Sequence, residues 1–389
     1  MARMPFITRL AGCILIVAAA CVRADVLPDE RADVMWKLYE GGGIKVEGPS
    51  MLVRTNVSDK VSFTGGYSVD VVTGASIDMI VLGASPMHEV RKQKNFGVDY
   101  LYGKTTYSVG FENSIENDYD DTTASAGISQ SMFGDLTTVS LSVSRGWDII
   151  QRVINADGEK DPGFRKRSDR KTWGVSVSQI LTRNLIGGVD YEAITEQGYL
   201  QNPYRAYRYL AAPGSALFLT APELYPGTHT SNAASVRLKY YLPWRASLTG
   251  KYRYFFDTWD VRAHTAELDY TQPLVHDSLI ADFTYRYYRQ NSASFYSDLF
   301  AYANQFNYMA RDRELAAQNN TTMGVALSYD LVKSQHWFIK KATVGLHYDY
   351  IAYHYLDFRD ASQHQYPAGS EPLYRYDASV VQVLGSIWF

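Results

Sequence analysis

One pattern recurs along the chain. Segments of about 11 to 14 residues alternate apolar with polar side chains. They run over Lys60–Val72, Arg91–Tyr102, Thr105–Ile115, Thr122–Met132, Thr137–Trp147, Lys171–Leu181, Leu185–Ile194, Asn232–Leu242, Ala246–Phe256, Arg262–Gln272, Ser278–Arg289, Thr321–Leu331, Lys341–Ile351 and Ala378–Phe389. A looser hairpin, Asp33–Glu40 and Ile44–Arg54, precedes them, broken by Gly41-Gly42-Gly43 and interrupted by Gly48-Pro49. Alternation with period two is the mark of a strand with one apolar face. The count is sixteen, with fourteen the nearest alternative.

The connections alternate too. Short turns sit at Asn56–Lys60, Gly103-Lys104, Phe133–Leu136, Thr182–Asn184, Pro243-Trp244, Pro273–Asp277 and Val332–Phe338. Longer links lie between them, at Asp148–Arg170, Thr195–Ser231, Gln290–Asn320 and Ala352–Asp377. This is the layout of bacterial barrels, with short periplasmic turns and long extracellular loops. The expected fold is therefore all-β, a transmembrane antiparallel β-barrel with both ends on one side. Within the long links, Leu210–Leu219 and Tyr302–Ala317 are candidates for a helical turn or a short helix, folded outward or into the lumen.

The end of the chain fits a barrel. In SVVQVLGSIWF, Val381, Val383, Gly385, Ile387 and Phe389 share one parity, and the chain stops on an aromatic residue. A terminal Phe389 resembles the closing signal of outer-membrane barrels, whose last strand must pair with the first so that no edge faces lipid.

The start reads as an export signal over residues 1–24. Arg3 and Arg9 precede the apolar run Leu10–Ala20, and Val22-Arg23-Ala24 forms the cleavage site, leaving one barrel domain over 25–389. Ala18-Ala19-Ala20-Cys21 resembles a lipoprotein cleavage site but lacks its leading Leu. Cys13 and Cys21 both fall in this segment, so neither disulfides nor cysteine metal sites are expected in the mature chain. Without Arg3, Arg9 and Arg23, 35 basic residues face 41 acidic ones, a balance of −6 that argues against nucleic-acid binding. Thirty-one tyrosines, within 14% aromatics, suit the belts of a barrel with a polar interior.

Charges fall on one parity of each strand. Asp190 and Glu192, Arg237 and Lys239, Lys251 and Arg253, Glu267 and Asp269, and Asp282 with Arg286 oppose apolar residues such as Val236, Leu238 and Tyr252. Facing lipid, an Arg or Lys costs about 2–4 kcal/mol at the midplane, so these residues are expected to line the lumen. They suit either cross-strand pairs that pin register or a selectivity lining.

Other constellations are weaker. His347, Tyr350, Tyr353, His354 and His364 have no metal-ligand spacing. Asn117-Asp118-Tyr119-Asp120-Asp121 lacks an EF-hand spacing and reads as a solvated acidic loop rather than a calcium loop. Arg165-Lys166-Arg167, with Arg170 and Lys171, sits at a loop base, where it suits lipopolysaccharide phosphates or plain solvation. There is no nucleophile elbow, HExxH or phosphate loop, so the chain does not read as an enzyme; an outer-membrane hydrolase is the lesser alternative. No cofactor and no metal are expected.

The strings GGGIKVEGPSMLVR (41–54), VSRGWD (143–148), NPYRAYRY (202–209), KYYLPWRASL (239–248), FDTWD (256–260), FYSDLF (295–300) and MARDREL (309–315) occur in order. Together they resemble the domain-of-unknown-function family numbered thirty-five seventy of Gram-negative bacteria, from about Asp25 to Phe389. The resemblance implies an outer-membrane-type barrel and carries no activity or site residues. The loop strings are rich in Arg and aromatics, types suited to recognition. Arg205, Arg208, Arg311 and Arg313 are expected to line an inward-folded constriction. The functional expectation is a porin-like channel or transport component for a small solute or ion. The alternative is a structural or assembly barrel, plugged by its loops, that docks a periplasmic or surface partner. Outer-membrane lipid, lipopolysaccharide and the barrel-assembly machinery are the other expected partners.

Overall fold

The computed structural model describes residues 26–389, apart from 75, 78–80, 82–86, 156–157, 276 and 333–337. The segment read as an export signal, with Cys13 and Cys21, lies outside the described residues. Eighteen strands follow in order: β1 (Arg31–Gly41), β2 (Ile44–Ser58), β3 (Val61–Gly74), β4 (Met87–Tyr102), β5 (Thr105–Ile115), β6 (Tyr119–Met132), β7 (Thr137–Val153), β8 (Lys160–Thr182), β9 (Leu185–Gly198), β10 (Ala206–Leu210), β11 (Phe218–Pro222), β12 (Thr228–Tyr241), β13 (Ser247–Asp257), β14 (Arg262–Leu274), β15 (Leu279–Gln290), β16 (Gln318–Val332), β17 (Lys341–Arg359) and β18 (Leu373–Trp388). All but β10 and β11 form one closed antiparallel barrel of sixteen strands. Each of the sixteen expected segments lies within or overlaps one of them.

Closure is made by the two ends of the chain. Every residue of β1 is registered against β18, from Arg31 opposite Trp388 to Gly41 opposite Ala378. Phe389 follows β18 directly; its N–H donates to the Glu30 carbonyl at 3.3 Å and its own carbonyl accepts from Lys340 Nζ at 2.7 Å. No edge strand is left in the wall, which is the condition for burying a sheet in lipid.

The first hairpin explains its own irregular sequence. Gly42 and Gly43 form a two-residue turn with φ of 59° and 81°, the doubly left-handed geometry that matches strand twist. At Gly48 and Pro49 the β2–β3 ladder breaks, between the Glu47–Val71 and Ser50–Ser68 pairs. Pro49 has no N–H to give there. Gly48 is required by close approach, since a Cβ would lie 1.8 Å from the Val69 carbonyl oxygen. The bare backbone also lets Lys37 on β1 reach past β2 to Asp70 on β3, at 2.9 Å.

Parity sorts the wall. Val34, Trp36, Phe96, Val109, Leu141, Val143, Val175, Val189, Leu238, Leu268, Phe283, Val325 and Leu346 are exposed on the outer face, as lipid-facing residues must be. Tyr102, Phe133, Tyr241 and Trp244 gather at the end with the short turns, forming one aromatic girdle. Replacing the outward Leu238, 48% exposed, by Arg is expected to destabilise the barrel by about 2–4 kcal/mol, read by denaturant unfolding in lipid vesicles. Unchanged stability would contradict a lipid-facing β12.

Several strands outrun the expected segments. β7 continues to Val153, β8 begins at Lys160 and β17 reaches Arg359. The link expected over Asp148–Arg170 thus shrinks to residues 154–159. The basic run Arg165-Lys166-Arg167 belongs to β8 and not to a loop. Of the two helical expectations, one fails and the other is met only as a single turn. Leu210–Leu219 is the turn of the β10–β11 hairpin, bent at Gly214 with φ 74°. Tyr302–Ala317 holds only a three-residue 3-10 turn, Arg313–Leu315, capped by Asp312.

Candidate functional site

The inner face from β9 to β15 carries the charged residues. Glu192 opposes Ala233, and Asp190 opposes Ser235 on β12. Arg237 stands opposite Lys251, Lys239 opposite Thr249, and Lys251 opposite Glu267. Arg286 on β15 stands opposite Glu267, and Asp282 opposite Thr271. All ten lie on the parity away from the exposed apolar residues.

The contacts form a belt of ion pairs and hydroxyl bonds. Lys251 Nζ lies 2.5 Å from Glu267 and 2.8 Å from Asp269. Arg253 is 3.8 Å from Glu192. Ser176 and Ser235 donate to Asp190 at 2.6 and 3.1 Å, Thr284 to Asp269 at 2.9 Å and Thr271 to Asp282 at 2.5 Å. The Arg237 guanidinium lies over Gly188, where a Cβ would come within 3.2 Å of it. Inside the wall, the side chains of Lys251 and Glu192 remain 40% and 42% exposed.

Above this belt three loops fold together. The β10–β11 hairpin, within the 199–227 loop, packs Tyr207 against Phe300 and Met309 of the 291–317 loop. Leu224 and Met309 exchange backbone hydrogen bonds at 2.9 Å. The 360–372 loop joins through Ala368 N–H, which donates to the Ala216 carbonyl at 2.9 Å.

This layer reaches the wall in three places. Ala316 and Tyr296 pack on Tyr353, Tyr355 and Phe358 of β17 and on Tyr374, Tyr376 and Ala378 of β18. Leu200, Tyr225, Ala293 and Phe295 pack on Phe255, Trp259 and Val261 beside β13 and β14. Tyr204 Oη accepts from the Val153 N–H at the end of β7, at 2.7 Å. With anchors spread around the ring, the layer lies across the mouth. A depression of about 460 Å³, open to solvent, lies between Asp298, Leu299, Asp357 and Arg359.

The four loop arginines come together in this layer, but not as a constriction lining. All four are buried, and Arg208 is 1% exposed. Arg208 binds the carboxylates of both Asp298 and Glu371, and its Nε donates to the Asp298 carbonyl at 2.8 Å. Arg311 bonds Asp298 at 3.1 Å and lies 4.3 Å over the Phe358 ring. Arg205 pairs with Asp312 and Glu314, and Arg313 lies 5.6 Å from the Tyr376 ring centre. A charge desolvated and paired in this way acts as a fastener, because its partners neutralise most of its field and breaking the pair is costly. Burial alone would raise the Glu371 carboxyl, but its hydrogen bonds from Arg208 and the loop amides hold it below the usual carboxylate range. The carboxylates of Glu371 and Asp298 in turn hold the Arg208 guanidinium above its ordinary value, against the effect of burial.

Two further expectations change. The acidic run 117–121 is only partly solvated: Asn117 is exposed, but Asp118 and Asp121 are buried, and Asp121 pairs with Arg170 at 2.8 Å. The His/Tyr group does not converge. His347 turns inward to Asp349 at 2.8 Å, whereas Tyr350 points outward and Tyr353 joins the aromatic core on β17. The acids that fasten the layer, Asp298, Asp312 and Glu371, were not singled out from sequence. Asp298 and Asp312 nonetheless sit inside FYSDLF and MARDREL, so a charge-balanced reading of those strings was available.

Residues 79–344, more than half of the chain, match the family described as "Protein of unknown function (DUF3570)". No curated protein matches the chain. Among solved structures, a bacterial polysaccharide outer membrane secretin is similar at 8% identity and a TM-score of 0.53, over 94% of this chain and all of that one. OccK2 of Pseudomonas aeruginosa in complex with glucuronate is similar at 10% identity and a TM-score of 0.43, over 94% of this chain and all of that one. A loop-deletion mutant of OmpT, an outer membrane protein of Vibrio cholerae, is similar at 9% identity and 0.42, over 93% and 98%. At 8% identity the likeness to the secretin, the one of these three above a TM-score of 0.5, shows the fold alone.

Proposed function

We propose, for a chain that belongs to this family of unknown function, a place in the outer membrane of a Gram-negative bacterium and the role of a porin-like channel or transport component for a small solute or ion. The observation that carries this reading is the wet, charged inner wall. Lys251, Arg253 and Glu192 face inward yet keep a third or more of their side chains exposed, so the lumen is solvated and not packed. An ionised lining of this kind biases which ions pass. The loop layer narrows the entrance.

The rival reading is a structural barrel closed by its loops, which docks a periplasmic or surface partner. The three-point anchoring of the layer favours it. In both readings the export signal over residues 1–24 directs secretion, and Phe389 beside the β1–β18 seam is the feature presented to the barrel-assembly machinery. Outside the wall, Arg145, Arg165, Arg167 and Lys171 lie exposed around Trp147 and Trp173. A basic rim above an aromatic girdle suits lipopolysaccharide phosphates.

Swelling of liposomes carrying the folded protein separates the two readings. The channel reading predicts faster swelling in small charged solutes than in protein-free liposomes, with rates that differ between anions and cations of equal size. Swelling no faster than in protein-free liposomes would leave the structural barrel as the better account.

A further inference from the structure

Three carboxylates meet at the rim, away from the lumen belt and the arginine cluster. Glu89 lies near the start of β4, and Glu116 and Asp118 lie in the turn between β5 and β6. One oxygen from each lies within 4.8 Å of the others. Glu89 is 1% exposed; its oxygens lie beside the Asp118 carboxyl and the Asn117 amide, and neither meets a donor in good hydrogen-bond geometry. The Glu116 side chain is 10% exposed and Asp118 is 9% exposed.

An ionised carboxylate buried in this way is costly unless a cation compensates it. Among the described residues Arg91 is a near cation, with Nε 3.7 Å from Glu116. Its guanidinium is also engaged elsewhere, with Nε on Ser114 at 2.8 Å and Nη2 on Gln93 at 3.1 Å. Three carboxylate oxygens gathered in this way suit a divalent cation.

Burial selects among such ions. Magnesium dehydrates reluctantly and keeps several waters, whereas calcium takes carboxylate oxygens directly in a flexible geometry, as three buried carboxylates would offer. Oxygen-only ligands suit a hard cation and not zinc or copper.

We propose that Glu89, Glu116 and Asp118 bind a calcium ion, which ties the start of β4 to the β5–β6 turn. The ion also reaches the loop layer, because Tyr204 of the 199–227 loop hydrogen-bonds Asp118. A proton shared among the carboxyls is the competing way to relieve the same burial.

Equilibrium dialysis of the folded, chelator-stripped protein in detergent against radioactive calcium tests this. One ion per chain is expected, with a dissociation constant of about 10⁻⁴–10⁻³ M, the range of extracellular sites. Glu89→Gln and Asp118→Asn should each weaken binding at least tenfold, and Asp161→Asn, on β8 beside Arg152, should leave it unchanged. If a variant does not fold, the wild type still decides through stoichiometry and a calcium-dependent rise in its unfolding temperature. No saturable binding to the wild type up to about 10 mM, or binding untouched by both variants, would mean that a shared proton holds the cluster.

Discussion

Replacing Arg208 by Ala is expected to release the loop layer while leaving the barrel closed. The substitution strands Asp298 and Glu371 in a buried site, and breaking a buried pair from one side costs about 3–5 kcal/mol. The Asp298 carboxylate also accepts from Arg311 and from the Arg359 N–H, both at 3.1 Å, so the loss spreads through the 291–317 and 360–372 segments. The sixteen-strand wall has its own ladder hydrogen bonds and does not depend on this contact. Amide exchange should therefore quicken in those two loops and stay slow in β12 to β16. Channel openings should lengthen in the same variant. Arg208→Lys should recover only part of the effect, because an ammonium cannot bridge two carboxylates with a planar fork. Unchanged exchange in both loops would show that the cluster does not hold the layer.

Removing the charge at Lys251 is expected to turn the lumen toward cations. Lys251→Gln leaves Glu267 and Asp269 facing water with their common partner gone. One unit charge at about 4 Å is worth about 1 kcal/mol in a water-like medium, or roughly fivefold in the cation-to-anion permeability ratio. Glu267→Gln with Asp269→Asn should move the ratio the other way. Reversal potentials across a salt gradient read both. If neither moves, the pairs serve only to fix strand register, the plainer of the two roles that their sequence pattern allows.

The wall was readable from sequence because lipid penalises errors of parity. On β12, Val236, Leu238 and Tyr240 had to face one way and Arg237 and Lys239 the other. Above the bilayer that constraint lapses, since both faces of a strand are wet, so the alternation fades although pairing continues. For this reason the upper ends of β7, β8 and β17 read as loop. Leu210–Leu219 is no helix because Pro213-Gly214 sets a turn and the flanking residues pair as a hairpin.

The fastening of the mouth was only half legible. The arginines stood out, yet Arg208 meets Asp298 and Glu371 at separations of 90 and 163 residues. Spacing along the chain cannot announce a contact of that range. The same holds at the rim, where the 117–121 run drew notice but Glu89, on a different strand, did not. Whether a charged loop residue meets water or another charge is decided by how the loops fold together.

The most direct test of a solvated, loop-narrowed lumen is single-channel recording of the folded wild type beside Arg208→Ala in a planar bilayer. The account predicts brief, ion-selective steps from the wild type, and longer openings of the same selectivity from the variant. Silence from both proteins, each shown to be folded by its heat-modifiable mobility, would contradict the channel and identify a barrel closed along its length.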